Sequence, residues 1–171
     1  MSKRALKKYV ASLSKEELEE QLIDLYERLD EVKTFYNFVF NPQEEKLLNT
    51  AKVKISREYF PDTRKRAKAR RSIAQKWIKH FEKLGVDPFI TADLMLYNLE
   101  IAQTFEEDQS KNPEAFYKAM FKFFSQACQY IIENGIIAEY RNRILKYTYR
   151  VDNEDWPNAN DFLKISIQFE D

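Results

Sequence analysis

Residues 88–105, PFITADLMLYNLEIAQTF, place apolar side chains on nearly every side of a 3.6-residue repeat. A helix of that kind has no face to give to water, so other helices must surround it. Asp93, Asn98 and Glu100 interrupt it too often for a membrane span, which needs about 20 predominantly apolar residues. The preceding stretch reads as its antiparallel partner. Ser72 with Gln75 has capping-box spacing, which predicts a helix start there. Ile73, Ala74, Trp77, Ile78, Phe81 and Leu84 then share one face, and Lys76, Lys79 and Lys83 share the other. Gly85 suits the left-handed residue that ends such a helix. Asp87 caps the next one, with Pro88 in its first turn, where a missing N–H costs nothing.

The rest of the chain reads as helices that cover this hairpin. Residues 3–11 form a short one, and Ser14 with Glu17 caps a second. Leu18, Leu22, Leu25, Leu29, Val32, Tyr36 and Val39 then alternate spacings of four and three. That is a heptad seam at the short limit for a coiled coil. Ile23, Tyr26, Phe35 and Phe40 widen the face towards packing inside a bundle, and a seam between two copies is the alternative. Asn41-Pro42 opens a helix whose inner side carries Leu47, Leu48, Ala51, Ile55 and Tyr59, and which stops by Pro61. Asn112-Pro113 opens another, striped by Phe116, Met120, Phe123, Phe124, Ala127 and Ile131 and closed by Asn134-Gly135. Ile137, Tyr140, Ile144 and Tyr147 mark a last helix to about residue 150. Beyond Trp156-Pro157, the alternation of Leu163, Ile165, Ile167 and Phe169 has the period of a strand. With no strand to pair with, that tail is a helix, a pairing across a dimer or an ordered extension. The expectation is therefore an all-α chain. Residues 1–150 form a single compact bundle of about six or seven helices with 88–105 as the central buried helix, and residues 151–171 form an acidic C-terminal extension.

Composition removes several functions. With 2 glycines in 171 residues there is no glycine-rich phosphate loop and little material for the turns of a β-sandwich. A single cysteine excludes an internal disulfide and points to a reducing compartment. The start MSKRALKKYV lacks the apolar run of a secretory signal, so a cytoplasmic location is expected. The 28 basic and 28 acidic side chains cancel overall but are unevenly spread. Residues 61–85 carry nine basic and two acidic side chains, a net +7, and residues 86–112 and 151–171 each come to −5. Pairing between neighbouring helices is the ordinary consequence.

Few residues carry reactive chemistry. His80 is the only histidine, which excludes paired-histidine metal motifs, and it sits at the edge of an apolar face. Cys128, beside Ala127 and Ile131, reads as a small buried thiol. Asp93 and Glu100 face one way on the central helix, but lack the further carboxylates and histidines of a dinuclear site. They are expected to meet the lysine face of the preceding helix, or solvent. Asn98 sits in the apolar stripe and is expected to bind a carbonyl of a neighbouring helix. The most pointed feature is the basic run of Arg64, Lys65, Arg66, Lys68, Arg70 and Arg71, just ahead of a helix start. An anion there would meet both the arginines and the unpaired N–H groups, so these six residues are the candidate phosphate or nucleic-acid contact. Lys3, Arg4, Lys7 and Lys8 extend the patch if the fold brings them near. The alternative is a solvated loop.

The segments KRALKKYV, EELEEQLIDLYERL, FVFNPQEEKLL, RRSIAQKWIKHFEKLGVDP and ADLMLYNLEIAQTF together resemble a bacterial family of small all-helical proteins of unknown function, over residues 1 to about 150. The resemblance implies a cytosolic bacterial protein, and it carries over no activity and no site residues. No catalytic residue, metal or cofactor is assigned. The leading expectation is a non-enzymatic protein-interaction or scaffolding module with a protein partner or as a homo-oligomer, away from membranes. Nucleic-acid or phosphate binding through residues 64–71 is the alternative. An enzyme using His80, or Asp93 with Glu100, is the third.

Overall fold

A computed structural model describes residues 2–62, 66–108 and 112–170. Those residues form nine α-helices and a closing 3-10 turn, with no strand. The chain divides into two compact units, residues 1–43 and 44–171.

The first unit contains α1 (Lys3–Val10), α2 (Lys15–Arg28) and α3 (Asp30–Phe40). The α2 start is a full capping box: the Glu17 N–H donates to Ser14 Oγ at 3.1 Å, and the Ser14 N–H to Glu17 Oε2 at 2.7 Å. The heptad seam is not one helix, as its spacing predicts. It breaks at Leu29, whose φ of −118° and ψ of 111° are extended. No glycine or proline marks the break. Asp30 and Glu31 give the new helix the acidic first turn that its dipole favours. The fold-back lets the Tyr26 hydroxyl donate to Asn37 Oδ1 at 2.9 Å. None of the three helices contains a buried residue.

The second unit contains α4 (Glu44–Tyr59), α5 (Arg71–Leu84), α6 (Pro88–Glu107), α7 (Glu114–Glu133), α8 (Ile137–Asn153), α9 (Ala159–Ser166) and the 3-10 turn Ile167–Phe169. Helix α6 packs against α4, α5, α7 and α8. Ala92, Leu94, Met95, Leu96, Leu99 and Ala102 on it are all buried, as its apolar surround requires. The Asp87 side chain caps α6 by accepting from the Phe89 N–H at 2.8 Å, with Pro88 in the first turn.

Three helices of this unit end alike. The Val86 N–H reaches the Phe81 carbonyl, Ile136 reaches Ile131 and Trp156 reaches Val151, at 3.1, 3.1 and 3.2 Å. In each case the residue before the donor is left-handed: Gly85 at φ 72°, Gly135 at 68° and Asp155 at 50°. The donor itself is an apolar side chain turned inward, since Val86, Ile136 and Trp156 are all buried. This is the glycine-type helix stop with its hydrophobic contact. Asp155 tolerates the left-handed well because a short polar side chain does.

One further expectation needs correction. Ser72 is not the cap of α5. The helix starts at Arg71, and Arg70 occupies the cap position without a side-chain cap bond. The entry is set from outside, by the Lys68 and Ala69 N–H groups donating to the Glu58 carbonyl at 3.0 and 2.8 Å. Of the three forms left open for the tail, it takes the helix. Phe162, Ser166 and Phe169 are buried at spacings of four and three, while Ile167 is 60% exposed. A helical period won over the apparent alternation because the aromatic groups set which side faces inward. Helix α9 packs on α7 and α8, and the Phe162 ring lies 5.0 Å from that of Phe124 and 5.8 Å from that of Trp156. The broken seam and this last helix bring the described helices to nine rather than six or seven.

Candidate interaction surface and interior charge network

The features of the first unit with functional potential are apolar. Of the fifteen large hydrophobic side chains exposed among the described residues, ten lie within residues 1–43. Scattered exposed apolar side chains are ordinary, but a concentration of them is not. Leu22, Ile23, Tyr26, Tyr36 and Phe40 line a groove of about 220 Å³ between α2 and α3, and Phe40 is 77% exposed. Leu22 and Tyr36 are heptad positions of α2 and α3, and Ile23, Tyr26 and Phe40 are the residues that widen that face.

The polar centre of the second unit is a network across α4, α6 and α8. Arg143 on α8 donates from Nε and Nη2 to Glu100 at 2.6 and 2.8 Å, and from Nη1 to Asp93. Lys52 on α4 reaches the other Asp93 oxygen at 2.5 Å and lies 5.2 Å from the centre of the Tyr97 ring. Each carboxylate and each cation here is about one-quarter to one-third exposed. Burial pushes the Asp93 carboxyl up, but the hydrogen bonds from Lys52 and Arg143 outweigh it and hold Asp93 below the usual carboxylate range. One helical repeat along, Arg150 binds Glu107 and Glu154, and Gln103 Nε2 donates to Glu154 at 3.1 Å. Burial, helped by the neighbouring Glu107, raises the Glu154 carboxyl. A cleft of about 340 Å³ lies along this row, lined by Glu100, Gln103, Arg143, Lys146, Tyr147 and Arg150.

The shifts fix a pH dependence. Asp93 is depressed in the folded state, so its contribution is complete above its unfolded value near about 4 and is lost as pH falls through the lower folded value. Glu154 is raised, so its contribution is complete below its unfolded value and is lost as pH rises through the folded one. Urea unfolding between pH 2.5 and 7 is expected to show an acid limb that Asp93→Asn flattens, and a decline as pH rises through the raised Glu154 value that Glu154→Gln removes.

The candidates named from the sequence are dispersed. Asp93 and Glu100 do face together, but their partners are Arg143 and Lys52, not the lysine face of α5. Asn98 is fully buried, yet neither atom of its side-chain amide finds a partner among the described residues, so the expected tie to a neighbouring carbonyl is not made. His80 is half-buried and packs edge-on against Trp77 at 5.9 Å. Burial pushes the Cys128 thiol up to about 12, which leaves it protonated at neutral pH and poorly nucleophilic.

In the basic run, Arg64 and Lys65 lie outside the described residues, and Arg66 and Lys68 are exposed. Arg70 makes a two-pronged pair with Glu58 at 2.8 and 2.8 Å. Its hydrogen bonds hold the Glu58 carboxyl below the usual range. Arg71 donates to the Ala115 carbonyl at 3.2 Å. Two of the four described cations thus serve as ties between elements. Lys3, Arg4, Lys7 and Lys8 are exposed on α1, in the other unit.

Arg143 and Lys52 were missed by the sequence reading. Arg143 follows Tyr140 by three residues on the inner stripe of α8, a charge at an otherwise apolar register, and that was a usable signal. Lys52 carried none. Among the described residues, no three His, Cys, Asp or Glu side chains gather as a metal site would need, and no helix is long and apolar enough to cross a membrane.

No curated protein and no solved structure matches the chain. A family match does exist, and it includes the tail helix α9 that the segment resemblance left out. Residues 1–170 match the Family of unknown function (DUF6155), and the chain belongs to that family.

Proposed function

We propose that the chain is a non-enzymatic protein-interaction module, which docks its partner on the exposed apolar face of its first three helices. One observation carries this reading. A quarter of the sequence holds ten of the fifteen exposed large hydrophobic side chains, and its helices bury none of their residues. Such a surface costs solubility and stays in a sequence when something covers it. The ionisable network of the second unit supports a structural reading, because each of its cations is matched by a carboxylate at hydrogen-bond distance.

The test is the stability of Leu22→Glu with Phe40→Glu in the full chain, by urea unfolding at sub-micromolar protein. A docking surface left uncovered at that dilution tolerates the change within about 0.5 kcal/mol. A loss of about 2–5 kcal/mol would mean that these side chains belong to a core, and would end the proposal.

A further inference from the structure

We propose that the partner is a second copy of this chain, with the two α2–α3 hairpins closing into an antiparallel four-helix bundle over the groove of Leu22 and Phe40. This rests on the docking reading above and names its partner. Three observations carry it. The first is area. The hairpin exposes seven large hydrophobic side chains, from 38% for Phe35 to 77% for Phe40. With about 150–250 Å² for a whole aromatic side chain and somewhat less for Leu, Ile or Val, full coverage of all seven would bury on the order of 600–700 Å² per copy. A standard stable interface buries about 800 Å² per partner.

The second observation is periodicity. Leu18, Leu22 and Leu25 on α2, and Val32, Tyr36 and Val39 on α3, each keep the spacings of four and three by which helices interlock with other helices. The second unit offers no matching stripe, because its five exposed large hydrophobics, Val53, Phe89, Ile132, Tyr149 and Ile167, fall on five different elements.

The third is charge. Helix α1 carries four cations and no acid, whereas residues 15–31 carry eight acids and two bases. The ion pairs of this unit among the described residues are Lys15–Glu19 and Arg28–Asp24, both inside α2. Among the described residues, the α1 cations make no ion pair within the copy. A two-fold interface is self-complementary, so it sets each basic α1 against the partner's acidic α2.

Sedimentation equilibrium of the full chain from 1 to 100 µM in about 0.1 M salt tests this. The expected result is a mass that doubles with concentration, and a Leu22→Glu, Phe40→Glu variant that stays monomeric. Charge reversal adds a specific check. Lys7→Glu with Lys8→Glu, and Glu16→Lys with Glu20→Lys, are each expected to weaken self-association at least tenfold, and an equimolar mixture of the two restores it. A wild-type chain that is monomeric throughout overturns the proposal. So does a dimer that persists in the Leu22, Phe40 variant, or a mixture that fails to recover. If the chain is monomeric and the Leu22, Phe40 variant is as stable as wild type, the docking reading survives with a different protein as partner. If the chain is monomeric and the variant is destabilised, both readings fall.

Discussion

Phe162→Ala is expected to destabilise the second unit by about 3–5 kcal/mol, the usual range for removing a fully buried phenylalanine. Phe162 is 0% exposed and sits among the rings of Phe121, Phe124, Tyr147 and Trp156, at centroid distances of 5.0 to 6.1 Å. Truncation takes away its own packing and also a ring contact for each of those four, edge-on for Phe121 and Trp156 and tilted for Phe124 and Tyr147. The size of the loss matters because Phe162 lies on α9, in the segment whose composition suggests an appendage. A peripheral extension would lose under about 0.5 kcal/mol. Urea unfolding followed by far-UV circular dichroism separates the two outcomes.

Arg143→Ala is expected to cost about 2–3 kcal/mol, somewhat below the range for a fully buried pair because the network is partly exposed. The reason is what remains behind. Without the guanidinium, Glu100 loses both of its hydrogen bonds from Arg143, and Asp93 keeps only Lys52. Two half-buried carboxylates then stand about two turns apart, with the one remaining cation, Lys52, on Asp93. Arg143→Lys keeps the charge but loses the fork, so it is expected to fall between wild type and alanine. Neutralising the acids in the same chain, with Asp93→Asn and Glu100→Gln added to Arg143→Met, is expected to recover part of the loss, because no carboxylate is left stranded while Lys52 gives up its charged partner. If the triple variant is no better than Arg143→Ala, the cost arises from packing and not from stranded charge.

The architecture around α6 could be read from residues whose local and global demands agree. An all-round apolar helix opened by Asp87-Pro88, directly after the Gly85 stop of its predecessor, has few other places to go. Gly85 and Gly135 were legible as stops because only glycine enters the left-handed well without cost. Asp155 makes the same stop and was not legible, since aspartate is common everywhere and its positive φ shows only in three dimensions. Leu29 was hidden for a related reason. It is a good helix former at a correct heptad position, and no breaker residue marks the fold-back that brings Tyr26 onto Asn37. Asp93 and Glu100 were legible as a pair because their spacing is local to one helix. Their partners were not, because contacts across 43 and 50 residues leave no local pattern. The exposure of the first 43 residues was invisible for the opposite reason: an apolar heptad looks the same in a sequence whether it is buried in its own chain or awaits another.

The most direct measurement is amide hydrogen exchange on the full chain at sub-micromolar concentration. Residues 88–107 are expected to exchange only through global unfolding, whereas residues 2–41 exchange orders of magnitude faster and gain protection as concentration rises. Equal protection of the two segments in the dilute monomer would show that the first three helices are already covered within their own chain, and would contradict the account.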